Sequence, residues 1–142
     1  MILSDSDIIE AVKDGRLGID PFDEGSLTPN GYDLRINEMR GDTGPRCFFL
    51  VSTVESIRLP KDLCAQLWIR SSFARKGVFC SFGKVDAGFE GTLTVGCFNS
   101  SEERIELNKG ERFIQIVFEK MVRPAEKEYG GKYKGQRGIK TE

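Results

Sequence analysis

Two segments of this chain carry the side chains best suited to chemistry. The first is Arg70-Ser71-Ser72-Phe73-Ala74-Arg75-Lys76-Gly77; the second is Asp86 within Val85-Asp86-Ala87-Gly88-Phe89-Glu90-Gly91. Forked guanidinium donors and serine hydroxyls at a strand end suit phosphate oxygens, although the same composition also describes a solvated loop. Asp86 either helps its turn to form or serves as a carboxylate that takes a proton from water or a sugar hydroxyl. A third segment, Tyr129-Gly130-Gly131-Lys132-Tyr133-Lys134-Gly135-Gln136-Arg137-Gly138, is glycine-rich, basic and aromatic. No Ser or Thr follows Gly131-Lys132 and no strand-to-helix context surrounds it, so it is not a Walker A loop. Its freed amides and its cations suit an arm that orders over a polyanion. The chain contains no histidine. That excludes Ser-His-Asp and Cys-His catalysis as usually built, and the histidine-bearing site of the zinc deaminases. Chemistry falls to carboxylates, Arg, Lys, Ser, backbone groups or a metal brought by the substrate.

The elements that must position these groups belong to one domain of 142 residues, with 39% hydrophobic and 30% charged residues. A net charge of −1 gives no basic field for nucleic acid. No long apolar run and no signal-peptide pattern occur, so we expect a soluble, cytoplasmic protein with no membrane association. Cys47, Cys64, Cys80 and Cys97 form no C-x-x-C pair and read as reduced thiols in apolar segments.

Ser4-Asp5-Ser6-Asp7 opens a helix whose stripe is Ile8, Ile9 and Val12, with Gly15 as its stop. Beyond it, Val-, Ile-, Phe- and Leu-rich runs recur near 32–36, 47–51, 54–59, 63–69, 77–82, 91–98 and 112–119. Turn residues separate them, among them Asn37-Glu38 and Asn108-Lys109-Gly110. Short strands at this spacing predict an antiparallel sandwich or barrel. Period two places Leu93, Val95 and Cys97 on one face and Thr92, Thr94 and Gly96 on the other. The same alternation groups Gln115 with Phe113 and Val117, where its amide needs a backbone or ligand partner. From Arg123 and Pro124 the pattern ends, dividing a β body (1–122) from an arm (123–142).

Five motifs in order span nearly the whole chain: Ser26-Leu27-Thr28-Pro29-Asn30-Gly31-Tyr32-Asp33-Leu34-Arg35, then R-S-S-F-A-R-K-G, V-D-A-G-F-E-G, G-E-R-F-I-Q-I-V-F and Y-G-G-K-Y-K-G-Q-R-G. This succession resembles the dCTP deaminase and dUTPase superfamily. The opening M-I-L-S-D and Ile19-Asp20-Pro21-Phe22 resemble its deaminase branch. The resemblance implies a mainly β, distorted β-barrel or jelly-roll subunit with one short N-terminal helix. It also implies a homotrimer with sites at subunit interfaces, and an arm closing over a nucleoside triphosphate that carries Mg²⁺, with no dedicated metal site on the protein. By resemblance, Arg70, Ser71, Ser72 and Arg75 bind the triphosphate, with Tyr129, Lys132 and Gln136 of the arm. Asp86 contacts the deoxyribose and activates water. Phe89 lies beneath the sugar, the backbone of Thr94, Val95 and Gly96 reads the pyrimidine, and Gln115 contacts the nucleotide.

One departure bears on the reaction. Where deaminases of this superfamily carry a glutamate that shuttles the proton for attack on the base, this chain has Gly96. General acid–base help is worth roughly 10²–10⁴ in rate. With Asp86 retained, the expected reaction is hydrolysis of dUTP to dUMP and pyrophosphate. The alternatives are a dCTP deaminase, alone or coupled to that hydrolysis, and a non-catalytic nucleotide-binding relative. A wide gap at Gly96 would admit either base.

Overall fold

The computed structural model describes all 142 residues. Helix α1 (Asp5–Lys13) starts as its capping box dictates. Asp7 N–H donates to the Ser4 hydroxyl at 3.3 Å, and Ser4 N–H donates to the Asp7 carboxylate at 2.9 Å. The helix buries Ile8 and Ala11, with Val12 packed at the margin and Ile9 only half-buried.

Strands follow as β1 (Gly18–Asp20), β2 (Leu27–Thr28), β3 (Gly31–Gly41), β4 (Phe48–Thr53), β5 (Ser56–Arg58) and β6 (Leu63–Ile69). After a four-residue helix, α2 (Ser71–Ala74), come β7 (Val78–Ser81), β8 (Lys84–Val85), β9 (Glu90–Gly91), β10 (Thr94–Asn99) and β11 (Arg112–Lys120). One large sheet curls in the order β7-β10-β4-β3-β11-β6-β8, with β2 added to β3; a small sheet runs β1-β5-β9. The named strand pairs are all antiparallel, so the fold is mainly β and half-barrel in form. No helix is long and apolar enough to cross a membrane.

Three local readings change. Asn37-Glu38 is not a turn: β3 runs through it, and its register with β4 shifts between Ile36 and Glu38. The Arg70–Gly77 segment winds into α2 instead of staying a loop. A register shift between Arg112 and Ile114 separates Phe113 from Gln115. Phe113 turns fully into the core against Phe73, their ring centroids 4.8 Å apart, whereas Gln115 stays on the outer face. Two residues facing one partner break the period-two count that had grouped them. The core holds Tyr32, Phe49, Phe113 and Phe118, all fully buried. Each such side chain contributes roughly 1.5–3 kcal/mol by burial.

Candidate functional site

β8 pairs Val85 with Ala65 and buries it, so Lys84 and Asp86 point outward on either side. The chain then turns, with Phe89 N–H donating to the Asp86 carbonyl at 3.0 Å. Asp86 lies between two adjoining cavities of about 270 and 470 Å³, and both are also lined by Lys84 and Tyr129. No hydrogen bond or ion pair engages the exposed Asp86 carboxylate, whereas Phe89, close by, is buried and packs on the Tyr129 ring at 5.5 Å.

The arm docks on this turn. Tyr129 N–H donates to the Ala87 carbonyl at 2.7 Å, and Gln136 pairs in parallel with Gly91. Two glycines make the approach possible. Gly88 (φ 83°) faces the backbone of Glu128 and Tyr129, and a β-carbon at Gly91 (φ 139°) would sit 2.9 Å from Gln136 backbone atoms. Gln136 is 9% exposed; its Nε2 donates to the Thr92 carbonyl at 2.6 Å, while its Oε1 has no partner. A buried acceptor left unpaired costs about 1–3 kcal/mol. With Nε2 fixed on Thr92, Oε1 stays buried and unpartnered in a residue that lines the smaller cavity. Lys132 stays exposed, its Nζ over the Tyr133 ring at 5.1 Å, and lines neither cavity.

On β10, Thr53 N–H donates to the Leu93 carbonyl, so alternation turns the peptide groups of Leu93, Val95 and Cys97 toward β4 and those of Thr94 and Gly96 toward β7. The β7 pairing begins only at Gly96 opposite Ser81. Val95 is thus committed to β4 and Gly96 to β7, while the N–H and C=O of Thr94 face the opening where the two strands part. Gly96 is not a wide gap. A β-carbon there would lie 3.1 and 3.2 Å from ring carbons of Phe48, so that ring covers the glycine.

The basic segment lies elsewhere. Asp86 falls opposite Cys64, and β6 runs from there to Arg70, roughly 20 Å at about 3.3 Å per residue. Arg70 Nε contacts the buried Asp33 carboxylate at 2.9 Å, and Arg112 reaches the same oxygen at 3.8 Å. Burial raises the Asp33 carboxyl above the usual aspartate range, against the lowering pull of Arg70 and Arg112. Ser71, Ser72 and Arg75 are exposed. Gln115, opposite both Asp33 and Trp68, joins this group and not the Asp86 cavity; its Nε2 donates to Thr28 Oγ1 at 2.7 Å. Asp33, Arg112 and Lys84 had no role assigned from sequence. The alternation Lys84-Val85-Asp86 could have placed Lys84 beside Asp86, but nothing local joins Asp33 to Arg70. No cluster of three or more His, Cys, Asp or Glu side chains is gathered to hold a metal.

Comparison with known proteins is consistent along the chain. Residues 42–121 match the dCTP deaminase-like family. The chain is 41% identical to a dCTP deaminase of Thermococcus kodakarensis over 85% of its own length and 87% of that relative. It is 40% identical to a protein named probable deoxyuridine 5'-triphosphate nucleotidohydrolase of Sulfolobus islandicus rod-shaped virus 1, over 98% of this chain and 96% of that one. A dUMP-forming dCTP deaminase of Aquifex aeolicus is 36% identical over 98% of this chain and 92% of its own. Among solved structures, the deoxycytidine triphosphate deaminase of Agrobacterium tumefaciens has a TM-score of 0.71 at 23% identity over 85% of this chain, which spans 49% of that one. The EIAV dUTPase has a TM-score of 0.61 at 20% identity, over 82% of this chain and 98% of that one. At these identities the structural likeness speaks for the fold.

Proposed function

This chain belongs to the dCTP deaminase-like family, and we propose that it is the dUTP-hydrolysing kind of enzyme within it, converting dUTP and water to dUMP and pyrophosphate. The observation that carries this reading is the pairing of a free carboxylate at Asp86 with a phenyl ring over Gly96. Asp86 accepts a proton from the water that attacks the α-phosphorus. Where a deaminase of the family needs a proton carrier beside the base, this chain presents Phe48 and Leu50, which carry none. Phe89 supports the sugar. The Thr94 peptide edge offers one donor and one acceptor to the base.

Triphosphate recognition by Arg70, Ser71, Ser72 and Arg75 requires a second copy, because in one chain they lie far from Asp86. We propose a homotrimer in which the basic segment of one protomer completes the cavity of its neighbour. Exposed Trp68 beside Gln115, and the exposed ladder of Phe48, Phe98 and Phe79 across β4, β10 and β7, support burial against other copies. Asp86, the carboxylate shared by both cavities, has no second acid arranged with it as a metal cage. That donor set suits an ion carried by substrate phosphates and waters. Mg²⁺ bound this way supplies neutralisation of charge on the phosphate oxygens. The reaction belongs to pyrimidine deoxynucleotide metabolism, and we assign it to the cytoplasm.

A second reading, deamination of dCTP with release of ammonia, to dUTP or, coupled to hydrolysis, to dUMP and pyrophosphate, is favoured by the relatives named as a dCTP deaminase and a dUMP-forming dCTP deaminase. One assay decides. Purified protein with Mg²⁺ is given dUTP or dCTP, and pyrophosphate and ammonia are measured, with Asp86→Asn as control. We expect pyrophosphate from dUTP that the control lacks. Ammonia from dCTP at a comparable rate would transfer the assignment to the second reading. Tight dUTP binding without product would leave a nucleotide-binding protein.

A further inference from the structure

Cys80 and Cys97 stand directly opposite one another on β7 and β10, their sulfurs 3.3 Å apart. The two other thiols contact backbone carbonyls: Cys47 that of Pro45, and Cys64 that of Glu119. On β10 the odd-numbered residues turn their peptide groups toward β4, as Asn99 N–H donating to the Cys47 carbonyl also shows. Cys97 and Cys80 are therefore a non-hydrogen-bonded pair across β7 and β10. Such pairs hold their Cα atoms about 4.5 Å apart, inside the span of about 4.4–6.8 Å that a disulfide bridges. Cys80 is half-buried and reachable from solvent, whereas Cys97 is 1% exposed.

We propose that Cys80 and Cys97 form a modification site, a dithiol that closes into an intramolecular disulfide by exchange with a small-molecule disulfide. The Cys80 thiolate attacks one sulfur of the small disulfide, breaking its S–S bond and releasing one thiolate. The Cys97 thiolate then attacks Cys80 Sγ in the mixed disulfide and expels the second. The two protons lost by the cysteines end on the two released thiols. The protein is oxidised by two electrons and the small disulfide reduced by two. Exposure makes Cys80 the first to react. In the dithiol, contact with Cys80 and burial both push the Cys97 thiol up, which keeps it from reacting first; its place 3.3 Å from Cys80 Sγ is what suits it to the resolving step.

The position gives the bond a consequence. Gly96 opposite Ser81 is the last rung before β7 and β10 part, and Cys97 opposite Cys80 is the rung behind it. A covalent bond in place of the 3.3 Å contact fixes this rung, and with it the strand spacing, next to the opening that Thr94 faces. This consequence rests on the nucleotide-binding reading above; formation of the bond does not.

The test begins with full-length protein incubated with oxidised glutathione. Intact mass should fall by about 2 Da, two of the four thiols should be lost, and a Cys80–Cys97 cross-linked peptide should appear. Cys97→Ala should instead retain a glutathione adduct on Cys80, and Cys80→Ser should give neither. A persistent adduct on Cys80 in the wild type, or Cys80 and Cys97 both remaining free, would overturn the site. Calorimetry with Mg²⁺ and a non-hydrolysable dUTP analogue carrying NH in place of the α,β-bridging oxygen should then show at least a roughly threefold change in Kd between reduced and oxidised wild type, and none in Cys80→Ser. Equal affinities with the bond mapped would overturn the clamp. A reduced protein that binds no dUTP would overturn the functional reading while the mapped bond stands.

Discussion

The Asp86 cavity is walled by its own chain, while the Arg70 segment turns its cations toward solvent. At Asp86 the arm supplies Tyr129 and Gln136, two glycines admit its backbone, and one buried acceptor is left without a partner. At Arg70 a buried carboxylate fixes the guanidinium from behind, and the serines and Arg75 in front are exposed. One region is shaped like the receiving half of a site and the other like its donating half. On the proposed reading, a chain that holds both halves about 20 Å apart would assemble a whole site by pairing with a copy of itself.

The largest effect should come from testing that division directly. Asp86→Ala and Arg70→Ala should each lower dUTP turnover by about 10³-fold when assayed alone. Unfolded and remixed one to one, the two variants should recover about a quarter of wild-type activity, because in a ring about one site in four then carries both intact residues. No recovery, with both chains shown by mass to share one assembly, would mean that both halves act within a single protomer. Next in size is removal of the arm. Ending the chain after Pro124 should lower turnover by about 10²-fold and leave the β body folded by circular dichroism, with a modest fall in Tm from exposure of Phe89. The thermal midpoint, compared with that of an Asp86→Asn protein, separates lost closure from lost fold.

How much of this was legible in the sequence depended on the range of the interaction. The capping box that starts α1 lies within four residues and read correctly, and Val95 and Cys97 alternate into the core as period two requires. Gln115 was misread because one irregular rung at Arg112–Ile114 separates it from Phe113, and no local signal marks that bulge. The Gly96 gap looked open because the ring that covers it comes from β4, nearly fifty residues earlier in the chain. The motif residues were recognisable as a set. Their division into two groups follows from β6 running between them, which is a property of sheet order and not of spacing.

Gln136 sharpens the comparison from within the cavity. Replacing it with Leu removes both the unpaired acceptor and the donor to Thr92. KM for dUTP should rise by about tenfold, the equivalent of about 1.4 kcal/mol, with a smaller change in kcat. An unchanged KM, with the arm still protected from proteolysis, would show that Oε1 meets no substrate group.

The smallest effect probes the other half through Asp33. Burial raises its carboxyl above the ordinary value of 3.8, so the folded chain holds that proton more tightly than the unfolded chain does. Its contribution to stability is therefore fullest below that ordinary value and declines as pH rises through the raised folded one. Asp33→Asn has no such proton. The stability of the wild type relative to the variant should fall as the pH of urea titrations is raised through the acid range. The amide keeps an acceptor for Arg70 Nε, so turnover at neutral pH should drop by only about threefold. A relative stability that rises over the same range would mean that Arg70 and Arg112 outweigh burial. Asp33 would then hold the basic segment by attraction already complete in one chain, and Arg70 would have less charge free to offer a partner's phosphate.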